Sequence, residues 1–67
     1  MADTLKLRAK MLEHGYTPTR LATEMGISER SLIAKMQNRT PFTLPDIKKI
    51  CDIFAFTKKD LFTIFFN

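Results

Sequence analysis

The chain has one cysteine, one histidine and two glycines among 67 residues, and each scarcity narrows what it can do. A lone Cys51 allows no internal disulfide and no cysteine-built metal cluster, as expected of a protein in a reducing, cytoplasmic setting. A lone His14, with no acidic cluster beside it, offers no metal-ligand set and no nucleophile–base pair. Phosphate loops and carboxylate dyads are absent as well, so no enzymatic activity, cofactor or small-molecule substrate is expected. No apolar run approaches the roughly 20 residues of a membrane span, and the Met-Ala-Asp-Thr start does not read as a signal peptide. There is no internal repeat and no low-complexity stretch. A chain this short is expected to form one domain, residues 1–67, burying only about 60% of its unfolded surface.

What the chain does have is positive charge and regular helix punctuation. Eleven Lys and Arg stand against seven Asp and Glu, for a formal net charge of +4 and a pI near 9.6. Such a balance favours an anionic partner, nucleic acid before membrane. The punctuation predicts five short helices and no obvious strand, hence an all-α bundle.

The first helix runs from about Asp3 to Glu13, with Leu5, Ala9 and Leu12 on one face, and Gly15 ends it. His14 stands beside Gly15, where a cation meets exposed carbonyls favourably. Thr17 caps the second helix, Pro18 takes its first position, and Leu21, Ala22 and Met25 form its apolar face before Gly26 closes it. Ser28 caps a third helix reaching about Gln37, with Asn38 as a left-handed terminator. Thr43 with Asp46, and Thr57 with Asp60, resemble capping boxes. They open a fourth helix with Ile47, Ile50, Cys51 and Phe54 and a fifth with Leu61, Phe62, Ile64, Phe65 and Phe66. The paired Lys48–Lys49 and Lys58–Lys59 read as solvated surface. Thr63 to Phe66 favour strand as much as helix, so the tail over about 57–67 has two readings.

Residues 17–38 carry the most information: two short helices break at Met25-Gly26-Ile27, with small Ala22 before the corner and apolar Leu32 after it. At about 100° per residue, Leu32 and Met36 turn inward together. Arg30, Ser31, Ala34, Gln37 and Asn38 lie opposite, with Lys35 at their flank. That outer face is polar around a small centre, where an Ala34 methyl can meet a thymine methyl and Arg30 can fork onto guanine.

These residues resemble the lambda-repressor and Cro type of helix-turn-helix, in particular short phage-encoded Cro or repressor proteins. The match is strongest at Leu21-Ala22, Gly26-Ile27-Ser28 and Ser31-Leu32. The resemblance implies a lambda-repressor-like bundle and a sequence-specific double-stranded DNA-binding regulator, inserting residues 28–37 into the major groove of an operator. It implies base contacts at Glu29, Arg30, Ile33 and Ala34. It places backbone contacts at Thr17 and Thr19 and, after the third helix, at Gln37, Asn38, Arg39 and Thr40. Arg20, Ser31 and Lys35 join the expected backbone set as polar or basic groups beside that face. Glu29 has a second reading as a first-turn acid answering the helix dipole, and Ile33 as a residue half-buried between helices.

The chain departs from the family pattern at three places. Pro18 stands where glutamine is frequent, Ala34 where a long polar residue is frequent, and Met36 falls four residues after Leu32 instead of three.

On the fifth helix Leu61, Ile64 and Phe65 share one face while Phe62 and Phe66 occupy a second. The second face is a candidate homodimer interface, since paired probes meet the groove about 34 Å apart. The alternative is that both rings fold back onto Leu5, Leu7 or Met11. A rival function uses the apolar tail to bind a partner protein, as an antirepressor or an antitoxin. The leading expectation is a phage or prophage regulator acting at the nucleoid of a bacterial host cell.

Overall fold

Among the described residues, five side chains set the starts of five helices. Asp3, Thr17, Ser28, Thr43 and Thr57 each stand in extended backbone and accept a hydrogen bond from the N–H three residues on. Each satisfies a donor that a helix start otherwise leaves without a partner. In the computed structural model, which describes residues 2–66, the helices are α1 (Thr4–Glu13), α2 (Pro18–Met25), α3 (Glu29–Met36), α4 (Leu44–Phe54) and α5 (Lys58–Phe65). Among the described residues there is no strand, and the tail is helical to Phe65. Met1 and Asn67, the limits of the expected domain and tail, lie outside the described residues.

The expected terminators Gly15, Gly26 and Asn38 all adopt left-handed backbone, with φ of 69°, 75° and 58°. Ala55 does so too, at φ 53°, and nothing in its chemistry announces it. At Gly26 an added Cβ would meet no atom within 4 Å, so the corner between α2 and α3 needs glycine for its φ and not for space.

The buried side chains form one cluster. Leu21, Ala22 and Met25 come from α2, Leu32 and Met36 from α3, Ile47, Ile50 and Phe54 from α4, and Ile64 and Phe65 from α5. Phe54 anchors the far end, with the Tyr16 ring edge-on at 4.9 Å and the His14 ring at 5.0 Å. Cys51 is half-buried against this cluster, and burial together with Asp52 and Asp60 pushes its thiol up, away from reactivity.

The first helix departs from expectation. It buries Leu7 and Met11, while Leu5 and Leu12 are 76% and 82% exposed and Ala9 is exposed with them. Both sets have helical spacing and lie nearly opposite on the helix, so periodicity alone cannot choose between them. Docking on α5 chooses: the Asp3 N–H donates to the Ile64 carbonyl at 2.6 Å, and Lys10 pairs with Asp60 at 3.7 Å.

The fourth helix grips both helices of the corner. Lys49 Nζ donates to the Met25 carbonyl at the end of α2, at 2.9 Å, so this lysine is more than solvated surface. Lys35, in the last turn of α3, donates to Asp46 Oδ2 at 2.6 Å and to the Pro41 carbonyl at 3.2 Å. The same Asp46 oxygen takes the Thr43 N–H at 2.9 Å, closing a capping box. Side-chain exposure of Lys35 and Asp46 is only 15% and 11%. Burial pushes the Asp46 carboxyl up, but the hydrogen bonds from Lys35 and Thr43 outweigh it and hold the group below its ordinary 3.8.

A carboxyl lowered on folding contributes its stability above the ordinary value and loses it as pH falls through the lower folded value. Stability to urea is therefore expected to decline below about pH 4, and Asp46→Asn to flatten that decline, because the variant has no carboxylate there to protonate. Lys35→Met costs about 2 kcal/mol at neutral pH, the order of a hydrogen bond to a charged group, read from the urea midpoint. Gly26→Ala costs about 1–2 kcal/mol from left-handed strain alone, and Gly26→Asn less, in the same assay.

Candidate nucleic-acid interface

The α2–α3 corner is closed by backbone bonds: the Gly26 N–H reaches the Thr23 carbonyl at 3.2 Å and the Ile27 N–H the Ala22 carbonyl at 3.0 Å. Ser28 then starts α3, taking the Ser31 N–H at 3.1 Å and bonding its hydroxyl at 2.8 Å. From that start α3 turns Leu32 and Met36 into the core and leaves Glu29, Arg30 and Ser31 exposed.

The outward face is a shallow concavity of about 310 Å³ lined by Glu29, Arg30, Ile33, Ala34, Gln37 and Arg39. Ala34 is half-buried at its centre, and Ile33 is 37% exposed. The structure therefore brings together all four residues expected to face base edges. Among the described residues, the side chains of Glu29, Arg30, Gln37 and Arg39 have no hydrogen-bond or ion-pair partner. Their polar groups are committed to nothing inside the protein. Ile33 also borders a second hollow, of about 330 Å³, with Leu12, Tyr16, Pro18 and Met36. It is thus both half-exposed and packed between helices.

The residues expected to hold the DNA backbone lie at the start of α2, on α3 and just after it. Thr17 and Thr19 are exposed at the start of α2, where the Thr17 hydroxyl oxygen accepts the Arg20 N–H at 3.2 Å. Arg20 belongs to a small surface cluster: its guanidinium lies 4.0 Å from the Tyr16 ring centroid and donates to Glu24 at 3.1 Å. The Tyr16 hydroxyl donates to the other Glu24 oxygen at 2.8 Å, and this bond raises the phenol above its ordinary 10.0. Spacing of four residues between Arg20 and Glu24 is the local signal for that pair.

After α3, Gln37, Asn38 and Thr40 are exposed, and the Asn38 amide donates to the Ala2 carbonyl at 3.5 Å. Arg39 is exposed with them and borders the hollow that Asn38, Thr40 and Pro41 also line. It lines the concavity on the outer face of α3 as well. Lys35, expected beside these backbone contacts, instead turns its ammonium inward to Asp46 and the Pro41 carbonyl.

The two rings of the tail's second face lie 5.9 Å apart, with Phe62 58% and Phe66 52% exposed. They do not fold back into the core. Phe66 lines a hollow of about 400 Å³ with Pro41, Phe42, Leu44 and Phe65, next to Arg39 and Thr40. Leu44 there is 73% exposed.

Among the described residues no three His, Cys, Asp or Glu side chains gather as metal ligands, and no helix is long and apolar enough to cross a membrane.

The model of one protein family, the Cro/C1-type HTH DNA-binding domain, matches residues 6–67. Neither the curated proteins nor the solved structures compared with the chain include a match. Five helices, a glycine corner and an outward polar face on the second helix of that corner agree with the family match, and the chain belongs to the Cro/C1-type helix-turn-helix family of DNA-binding domains.

Proposed function

We propose that this domain is a sequence-specific regulator of phage or prophage type, which sets α3 into the major groove of a double-stranded operator. The observation that carries the reading is the α3 face itself, where four uncommitted polar side chains ring the small Ala34. Arg30, in the first turn, suits the O6 and N7 acceptors of guanine, and Glu29 the amino group of cytosine. Ile33 and Ala34 supply apolar contact for thymine methyls. Thr17, Thr19, Arg20, Ser31, Gln37, Asn38 and Thr40 serve as phosphate donors at the two ends of that face. Such a regulator works in the cytoplasm of a bacterial host, at the nucleoid.

Operators read by this family are commonly two half-sites about 34 Å apart, which calls for a dimer. Phe62, Phe66 and Leu44 form the apolar surface proposed for it, being large, clustered and more than half exposed. The same surface suits a partner protein, the rival reading of an antirepressor or antitoxin module.

Site selection from random DNA tests the reading. Arg30→Ala is expected to lose about 1–3 kcal/mol on the selected site and to relax preference at one base position. Unchanged affinity for every DNA, with binding to a protein partner abolished by Phe62→Asp, would transfer the function to the tail. Glu24→Gln should strengthen binding to all sequences by about 1 kcal/mol, since it frees Arg20 and removes a carboxylate from beside the phosphates. Sedimentation should give a dimer on DNA that Phe62→Asp with Phe66→Asp reduces to a monomer; a wild-type monomer on DNA counts against the interface.

A further inference from the structure

We infer that Arg39 is a second specificity-determining residue, reading a base edge beside Arg30 instead of gripping the sugar-phosphate backbone. The inference rests on the DNA-reading role proposed for α3.

Gln37 is the last residue near helical geometry, and Asn38 turns left-handed at φ 58°. The Asn38 N–H then reaches the Lys35 carbonyl at 3.1 Å and the Arg39 N–H reaches back to the Ala34 carbonyl at 2.9 Å. That pair of bonds is the Schellman arrangement, in which the second residue beyond the cap doubles back over the last turn of the helix. Here the residue that doubles back is an arginine, and the residue beneath it is Ala34. With the small Ala34 beneath it, Arg39 lines the same concavity as Glu29, Arg30, Ile33 and Gln37, and borders the neighbouring hollow with Thr40 and Pro41.

The charges around this end of α3 sharpen the assignment. Lys35, the cation that helical spacing puts nearest, is spent on Asp46 at 2.6 Å. Arg39 is left as the cation at the C-terminal end of the α3 face, and Arg30 is the one at its N-terminal end. Among the described residues neither guanidinium has an ion-pair partner. Two planar forks with apolar Ile33 and Ala34 between them suit a half-site with two guanines flanking a methyl-bearing pyrimidine. Arg30 and Ala34 stand about one turn, or roughly 6 Å, apart along the helix, so the two guanines should lie within about four base pairs of each other.

The test is site selection from random double-stranded DNA with the full chain and with Arg39→Ala and Arg39→Lys, followed by affinities on the selected and a scrambled site at several salt concentrations. Lysine keeps the charge that a phosphate needs but lacks the fork that guanine needs. Both variants are expected to lose discrimination at the same guanine by about tenfold or more, with Arg39→Lys holding its affinity for scrambled DNA and its salt slope. The assignment is overturned if Arg39→Lys keeps full discrimination while Arg39→Ala weakens both DNAs alike and lowers the slope by about one. A wild type that enriches no sequence would instead overturn the reading role of α3, and this inference with it.

Discussion

The ion pair between Lys35 and Asp46 is the constraint on which the presentation of α3 depends. It joins the last turn of one helix to the first turn of the next at 2.6 Å, in surroundings that leave both side chains under a fifth exposed. Asp46 is at once the partner of Lys35 and the closing member of the Thr43 capping box, so the pair also fixes where α4 begins. The Pro41 carbonyl accepts a second hydrogen bond from the ammonium, which ties the intervening loop to α3. Such a pair carries a desolvation cost that offsets part of its attraction, while removing one partner leaves the other charge uncompensated. About one turn further along α4, Lys49 on the Met25 carbonyl holds the end of α2. The glycine corner sets the direction of the turn, and α4 sets the angle at which it stays.

Once α3 is held from behind, its outer face is free of structural duty. Leu32 and Met36 anchor it in the core, Ser28 caps it, and Asn38 ends it. What remains on the outside is an apolar centre with polar and charged groups around its edge. The basic residues divide accordingly. Lys10, Lys35 and Lys49 bind helices to one another and Arg20 is shared with Glu24, whereas Arg30 and Arg39 stay on the α3 face. A formal net charge of +4 thus overstates how much positive charge the proposed reading face presents. Under the proposed function, that thrift makes a second copy joined through Phe62, Phe66 and Leu44 a natural source of added affinity.

The parts of this fold that are legible in the sequence are the local ones. A cap such as Thr17 before Pro18, or Thr57 three residues before Asp60, needs only its own neighbours to declare a helix start. Gly26 and Asn38 declare their ends, and the faces of α3 follow from counting along one helix. The buried side of α1 was not legible, because Leu5-Ala9-Leu12 and Leu7-Met11 have equal claims until α5 arrives to dock on one of them. The inward turn of Lys35 is illegible for a similar reason. Its partner lies eleven residues away across a loop, and helical spacing alone leaves it beside Arg30's face. Ala55 gave no sign of its left-handed backbone, since alanine has no chemistry that favours it. The position of Arg39 lies between these cases. The Asn38 terminator was visible, but the fold-back it imposes on the following residue requires the backbone bonds to be seen.

The central claim is that α4 holds α3 so that one face, from Glu29 to Arg39, meets DNA while Lys35 stays inside. Nuclear magnetic resonance of the labelled domain on its selected DNA tests this most directly, through contacts between protein and DNA protons. The account predicts contacts from the Ala34 methyl and the Arg30 and Arg39 side chains to base protons in the major groove. It also predicts a Lys35 ammonium whose environment is unchanged by the DNA. Contacts confined to the outer side of α1 at Leu5 and Leu12, or a Lys35 that leaves Asp46 for a phosphate, would contradict it.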